Sequence, residues 1–175
     1  FNIRRLIADP IEFLKHGLLL EFKPLNLDVL PLYIVLMATF SPFLWLLVRS
    51  PNLALAISSV VYAAAHAFGW NLASYPDGTW YFNPFAWQFL FVLGAWASLD
   101  RTGIVQWLIR SRIALYLAVL FLLIGLVITL GTRLGLAPVT AGSLVALYIP
   151  NDKTNLGPFR IVHFLSLALI VARLI

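Results

Sequence analysis

The feature that most constrains this chain is an apolar run, Ile113–Gly131, that contains no charged side chain. About 20 apolar residues are enough for a helix to cross the roughly 30 Å of hydrocarbon in a bilayer. Hydrophobic residues make up 62% of the 175 residues and charged residues only 11%, against about 25% charged in soluble domains. A soluble core of this size could not bury so much apolar surface, so the sequence predicts an all-α polytopic membrane helix bundle.

Five apolar runs are candidate membrane-spanning helices. They are Leu30–Val48, Leu53–Trp70, Pro84–Leu99, Ile113–Gly131 and Phe159–Ile175. The third run is short, and Pro42 predicts a kink in the first because proline removes a backbone hydrogen bond from a helix. A further run, Leu134–Ile149, contains Pro138 and Gly142 and is predicted to be a re-entrant or surface element.

The first residues predict a helix that lies in the membrane interface. In "DPIE", Asp9 stands at the cap, Pro10 at the first helical position and Glu12 three residues after the cap, which is the pattern of a capping box. Apolar and charged side chains then fall on different helix faces as far as Lys23. Such a helix is typical of segments that lie along a bilayer rather than across it.

The chain is expected to form one membrane domain over residues 1–175. Within it, residues 1–23 are the interfacial amphipathic segment and residues 132–158 an extracytoplasmic loop or re-entrant element. Because the chain starts at Phe1 rather than at Met and stops inside an apolar run, it is expected to be a fragment of a larger bundle.

The net charge of +5 raises nucleic acid as a partner, but the Lys and Arg residues stand in short loops. Their position indicates orientation in the bilayer and contact with anionic headgroups, and no nucleic-acid partner is expected. The absence of cysteine excludes disulfides, a thiolate nucleophile and a Cys-ligated metal. Without an HExxH motif as well, no metal site is expected.

Loop charges predict how the chain is oriented. The 100–112 loop carries Arg101, Arg110 and Arg112, and the 49–52 loop carries Arg49; such loops stay in the cytoplasm. The 71–83 loop carries Asp77 and no Lys or Arg, so it is expected to face outward.

Polar residues far apart in the chain are predicted to meet at one depth, because successive helices alternate in direction. They are Asp28 at the start of the first run, His66 near the end of the second, Asn83, Trp87 and Gln88 at the start of the third, and Arg160 and His163 in the first turns of the fifth. Ionisable residues in a membrane usually face a bundle interior or a water-filled cavity. The pattern therefore predicts a polar pocket that opens to the outside.

His66, His163 and Asp28 are the candidate catalytic residues of this pocket. A neutral imidazole can accept a proton from a hydroxyl, and a carboxylate such as Asp28 could orient it. Each residue also has an ordinary structural interpretation, since a membrane histidine is often a hydrogen-bonded packing residue and Asp28 could simply cap a helix.

The other polar and aromatic residues leave similar alternatives open. Trp80 and Trp87 are typical of an interfacial aromatic belt, and the same rings could stack on sugars. Arg160 either binds an anion or extends its side chain to the interface. Gln88 needs a hydrogen-bond partner wherever it is buried.

Three stretches resemble the OpgC family of bacterial integral membrane proteins. They are "PLNLDVLPLYIVLM", "YPDGTWYFNPFAWQFLFVLGAW" and "DKTNLGPFRIVHFLSLA". The stretches occur in order and the resemblance extends over essentially the whole chain, which is similar to the middle and later part of a longer membrane protein.

The resemblance implies transfer of a succinyl group, with succinyl-CoA as the donor and no permanently bound cofactor, to a hydroxyl of an osmoregulated periplasmic glucan. It implies the bacterial inner membrane, with the lipid bilayer, the glucan and the remaining N-terminal helices of the same protein as partners. Asn83, Trp87, Gln88, Trp80, Asp77, Lys153, Asn155 and Arg160 are then candidate substrate-binding residues. Lys153, Arg160 or Arg133 could attract the succinyl carboxylate or another anion, and each could equally be a contact to lipid headgroups. In the wider acyltransferase group the essential histidine stands near the N-terminus, so no residue of this chain matches it.

Two other functions fit the composition. A transporter or flippase places polar groups at mid-depth, whereas here they are predicted near one face. A structural membrane subunit would use each His and Asp in packing, so their substitution would change stability only.

Overall fold

The computed structural model describes residues 9–21, 29–75, 78–99, 101–135 and 152–175. Its helices are α1 (Pro10–Leu18), α2 (Val29–Arg49), α3 (Pro51–Phe68), α4 (Pro84–Leu99), α5 (Ile104–Arg110), α6 (Arg112–Arg133) and α7 (Pro158–Leu174). The predicted fold class, an all-helical membrane bundle, is confirmed. Most of the Leu134–Ile149 run lies outside the described residues.

Each of the five predicted runs forms a helix, and three of these helices are long and apolar enough to cross a bilayer. These are α2, α3 and α6, with 21, 18 and 22 residues. The helix α4 is apolar but has only 16 residues, and α7 has 17. In each of α2, α3 and α6, only 17% of the residues in an apolar 18-residue stretch are buried inside the protein. Most of the apolar surface of these helices is therefore left for lipid.

The first helix departs from the predicted capping box. Asp9 stands at the cap and Pro10 at the first helical position, but the Asp9 side chain makes no capping hydrogen bond. Glu12 instead turns along the helix, where its carboxylate lies 3.6 Å from Lys15 Nζ and 3.5 Å from His16 Nε2. The capping-box prediction is therefore wrong, because partners one turn ahead on the same helix hold Glu12.

The structure also differs from the prediction between the third and fourth apolar runs, where the sequence predicts a loop. Residues Ile104–Arg110 form the helix α5, and none of them is buried. With seven residues and no buried face, α5 lacks the long apolar periodicity by which a helix is recognised in a sequence.

The chain divides into two compact units. The first consists of Phe1–Trp96 with Lys153–Asn155, and the second of Ala97–Asp152 with Leu156–Ile175. This division does not bear on the expectation of one membrane domain, which stays a prediction.

In the first unit, α3 and α4 run antiparallel. Trp96 Nε1 at the end of α4 donates to Asn52 Oδ1 at the start of α3, at 3.0 Å. Leu47, Ala54 and Val92 form a small buried cluster beside them. The antiparallel arrangement places the end of α3 beside the start of α4.

In the second unit, α6 and α7 also run antiparallel. Arg173 Nη1 in the last turn of α7 donates to the carbonyls of Ile109 at 3.1 Å and Ser111 at 3.0 Å, just before α6. Farther along both helices, the rings of Phe121 and Phe159 lie 4.7 Å apart.

Candidate functional site

His66 stands in the last turn of α3, with its ring exposed. Its Nδ1 lies 3.0 Å from the carbonyl oxygen of Tyr62. A carbonyl oxygen can only accept, so Nδ1 must carry the hydrogen, and in the neutral ring the lone pair is on Nε2. The backbone of α3 thus orients His66 with the basic nitrogen away from the helix.

Two features of the α3 end hold this geometry. The Tyr62 ring lies 4.4 Å from the His66 ring and 5.0 Å from Phe89 of α4. Gly69 then ends the helix with φ +63°, a left-handed conformation that glycine adopts without strain. His66 therefore lies at the end of α3 that is next to the start of α4.

Asn83 forms the best-connected polar centre of the first unit and is fully buried, with 0% exposure. Its Oδ1 accepts from the Phe85 amide at 3.0 Å, which caps α4. Its Nδ2 donates to the Trp70 carbonyl and, at 2.9 Å, to Asn155 Oδ1. Because every polar atom of this side chain has an internal partner, these contacts join the α3 end, the α4 start and the Lys153–Asn155 segment.

Trp87 holds the same segment from one turn farther along α4. Its Nε1 donates to the carbonyls of Lys153 at 3.1 Å and Thr154 at 3.2 Å. The backbone N–H of Asn83 also donates to the Thr154 carbonyl, at 2.9 Å. We call Asn83, Trp87 and Lys153–Asn155 the Asn83 cluster; it brings together four of the predicted substrate-binding residues, Asn83, Trp87, Lys153 and Asn155.

Gln88 follows Trp87 on α4 and is buried. Its Oε1 accepts from Ser58 Oγ at 2.7 Å, and its Nε2 donates to the carbonyls of Ser58 at 3.0 Å and Phe85 at 3.1 Å. The sequence indicated that a buried Gln88 needs a partner but did not identify Ser58, which stands in an apolar run. The only sequence signal for this contact was the general rule that a buried side-chain amide has a hydrogen-bond partner.

Trp80 supports the loop that precedes Asn83. The indole is buried, and the Trp80 carbonyl accepts from Asn71 Nδ2 at 2.8 Å. Its amide donates to the Leu72 carbonyl at 2.8 Å, beside the bridge between Ala73 and Thr79. Two further predicted site residues, Asp28 and Asp77, lie outside the described residues.

Arg160 and His163 belong to the second unit, in the first turns of α7. The Arg160 Nε is buried and has no hydrogen-bond partner among the residues that the structure describes. His163 is partly buried, and its ring lies nearly parallel to that of Phe159 with centroids 6.5 Å apart. A buried guanidinium N–H without an acceptor is costly, and an anion is one group that could supply the missing acceptor.

The backbone before α7 is itself under strain. Leu156 has φ +50° and a buried side chain, although non-glycine residues rarely adopt that conformation. The Gly157 amide donates to the Asp152 carbonyl at 2.9 Å and closes the turn. Packing of Leu156 therefore sets where α7 begins, and with it the position of Arg160.

The site residues thus fall into three groups with different chemistry. His66 presents a basic nitrogen, the Asn83 cluster is internally satisfied and holds a loop beside an aromatic surface, and Arg160 presents an unsatisfied cationic donor. Within the described residues, no group of three or more His, Cys, Asp or Glu side chains could hold a metal ion.

Comparison with known proteins identifies the relationship of the whole chain. A family model described as OpgC protein matches residues 1–175. No curated protein and no solved structure matches the chain.

Proposed function

We propose, from the premise that this chain belongs to the OpgC family, that it is part of a membrane O-acyltransferase that succinylates a periplasmic glucan. The structural observation on which the proposal rests is the orientation of His66. Its Nδ1 is committed to the Tyr62 carbonyl at 3.0 Å and its ring is exposed. That arrangement leaves Nε2 as a base for a hydroxyl substrate.

In this reaction a glucan hydroxyl gives its proton to His66 Nε2 as its oxygen attacks the acyl carbonyl. The new carbon–oxygen bond forms, the carbon–sulfur bond of the thioester breaks, and the proton passes to the departing thiolate. The donor is succinyl-CoA, which is a substrate and not a resident cofactor. His163 and Asp28 are the other residues proposed to take part in proton transfer.

Arg160 is suited to the free carboxylate of the succinyl group. Its Nε is buried and unpaired among the described residues, and a carboxylate would supply a charge-assisted hydrogen bond. Lys153, which is exposed, is another residue proposed to attract an anion.

The glucan would meet amides and aromatic rings. Trp80, Trp87, Asn83, Gln88, Asn155 and Asp77 are the proposed substrate-binding residues. The contacts of Asn83 and Gln88 are internal and the Trp80 indole is buried, so these three would act by holding the surrounding surface. Trp87 offers a partly exposed ring. The protein would lie in the bacterial inner membrane with its acceptor side facing the periplasm, and no nucleic acid would take part.

The test is succinylation of glucan by the complete protein carrying changes at His66. His66→Ala and His66→Gln should each lower the rate by at least about 100-fold, the lower range for a general base, with normal amounts of protein in the membrane. His16→Gln is the matched control, because His16 contacts Glu12 and Glu21 in another part of the first unit, and it should retain activity.

Asp28→Asn and His163→Ala extend the same assay to the other two proposed catalytic residues. Wild-type glucan substitution in every one of these variants would overturn the assignment of the residues. Normal transfer of the glucan itself across sealed vesicles, with no acyl group added, would instead support a transporter.

A further inference from the structure

A groove with an apolar lining runs between α6 and α7 in the second unit and has a volume of about 560 Å³. This volume lies within the range of about 300–1,000 Å³ typical of small-ligand sites. Its lining includes Leu108 of α5, Ala114, Leu117 and Phe121 of α6, and Val162 and Ser166 of α7. Leu117 is 60% exposed and Val162 45%, so the groove opens to the surroundings of the bundle.

Small residues make room for this groove. Ala118 of α6 and Ser166 of α7 are both buried and both line it, and short side chains let an extended ligand approach the helix backbones. The polar groups that the lining offers are few, so the part of a ligand that lies here must be a hydrocarbon chain.

Three arginines stand near the end of the groove where α5 joins α6. Arg173 is fixed there by its hydrogen bonds to the carbonyls of Ile109 and Ser111, at 3.1 and 3.0 Å. Arg110 and Arg112 flank Ser111 in the sequence, and both are exposed. Arg110 ends α5 and Arg112 begins α6, and these two helices contribute Leu108 and Ala114 to the groove.

The positive charge of this group has no carboxylate beside it in the part of the chain that the structure describes. The Arg173 contacts are to neutral carbonyl groups, and the described ion pairs in and next to α1 involve Glu12 and Glu21. Trp107 on α5 is 67% exposed, as expected of an indole at the headgroup level of a bilayer.

We infer that the groove and the three arginines form a binding site for an anionic phospholipid. The lipid phosphate would lie on Arg110 and Arg112, with Arg173 behind them, and an acyl chain would lie between α6 and α7. Charge complementarity selects this occupant, because a zwitterionic lipid fills the groove equally well but carries no net charge to pair with the arginines.

The experiment is lipid titration of the complete protein in detergent, read by native mass spectrometry, with phosphatidylglycerol and phosphatidylcholine as probes. With two arginines on the phosphate, phosphatidylglycerol should bind roughly thirtyfold more tightly than phosphatidylcholine. Arg110→Gln combined with Arg112→Gln should remove this preference and leave phosphatidylcholine binding unchanged.

Two variants separate this site from a general effect of charge. Arg49→Gln removes an exposed cation at the end of α2, which is not among the groove residues, and should change phosphatidylglycerol affinity less than about twofold. Val162→Trp keeps every charge but fills the groove, and should weaken binding of both lipids.

Equal affinity of the wild-type protein for the two lipids would overturn the inference. So would an effect of Arg49→Gln as large as that of Arg112→Gln alone, or displacement of phosphatidylglycerol by inorganic phosphate, which would indicate an anion site without an acyl chain. Helix content and elution volume of each variant are measured alongside; if the double variant unfolds, Arg112→Gln alone takes its place.

Discussion

Ser58 and Gln88 form a reciprocal pair where α3 packs against α4. Ser58 Oγ donates to Gln88 Oε1 at 2.7 Å, and Gln88 Nε2 donates back to the Ser58 carbonyl at 3.0 Å. Both side chains are buried, so each satisfies the polar group that the other would leave unpaired. The pair fixes the register of α3, which carries His66, and α4, which Asn83 caps.

Ser58→Ala and Gln88→Leu should therefore be non-additive. Each change alone leaves a buried polar group without its partner and should lower the unfolding free energy by about 1 kcal/mol. The double variant should lose less than the sum of the two single losses. Denaturation of the purified protein in detergent measures this, and strictly additive losses would contradict the pairing.

Asn83 should tolerate Ala better than Asp. Asn83→Ala removes the α4 cap and two donated hydrogen bonds, a loss of roughly 2–3 kcal/mol. Asn83→Asp keeps the cap acceptor but places a carboxylate against the Trp70 carbonyl and Asn155 Oδ1, which the amide now faces as a donor. Because buried acceptors would then face each other, Asp should destabilise more than Ala.

Asn52→Asp is the matched control for that comparison. Asn52 is exposed and uses only its Oδ1 in the contact with Trp96 Nε1, at 3.0 Å. A carboxylate keeps that acceptor, so the thermal midpoint should not fall. An Asn83→Asp protein as stable as the wild type would show that the described network does not hold the α4 start.

Arg160→Gln should weaken use of a dicarboxylic acyl donor specifically. If the guanidinium binds the free carboxylate, its loss should raise KM for succinyl-CoA about 10- to 100-fold, the range for hydrogen bonds to charged groups. Transfer from acetyl-CoA, which lacks the carboxylate, should be unaffected. Arg49→Gln changes an exposed arginine that was not predicted to bind the carboxylate and serves as the control; equal losses with both donors would exclude carboxylate binding.

Cysteine labelling should place the two ends of α4 on opposite sides of the membrane. The chain contains no cysteine, so a single introduced thiol reports one position. Gly78 and Gly103 are poor sites because their φ values of +98° and +68° strain any other residue. Their exposed neighbours Thr79 and Thr102 are better, and an impermeant thiol reagent should label Thr79→Cys from outside and Thr102→Cys only after lysis.

Some of this architecture could be read from local sequence, and some could not. The run that forms α6 was recognisable because its apolar residues are contiguous and need no partner to define them. The helix α5 was missed because its seven residues have no buried face. The predicted capping box at Asp9 did not form, because Glu12 contacts Lys15 and His16 instead. The four-residue motif does not take such competing partners into account.

The candidate site shows the same division. The positions of His66 and Asn83 at neighbouring helix ends followed from alternating helix direction. The acceptor that orients His66, the carbonyl of Tyr62, could not be predicted, because every residue has a backbone carbonyl and the sequence does not distinguish one from another. The partnership of Asn83 with Asn155 was equally hidden, since residues far apart in the chain meet only after the helices have packed.

The helices and their lipid surroundings could be inferred from the sequence alone, because apolar composition and run length act locally and additively. The packing of the helices settled which polar groups are paired internally, as Ser58 and Gln88 are, and which have no acceptor among the described residues, as with Arg160 Nε. Hydrogen bonds depend on distances of about 3 Å and on direction, and those quantities exist only once distant segments have been brought together.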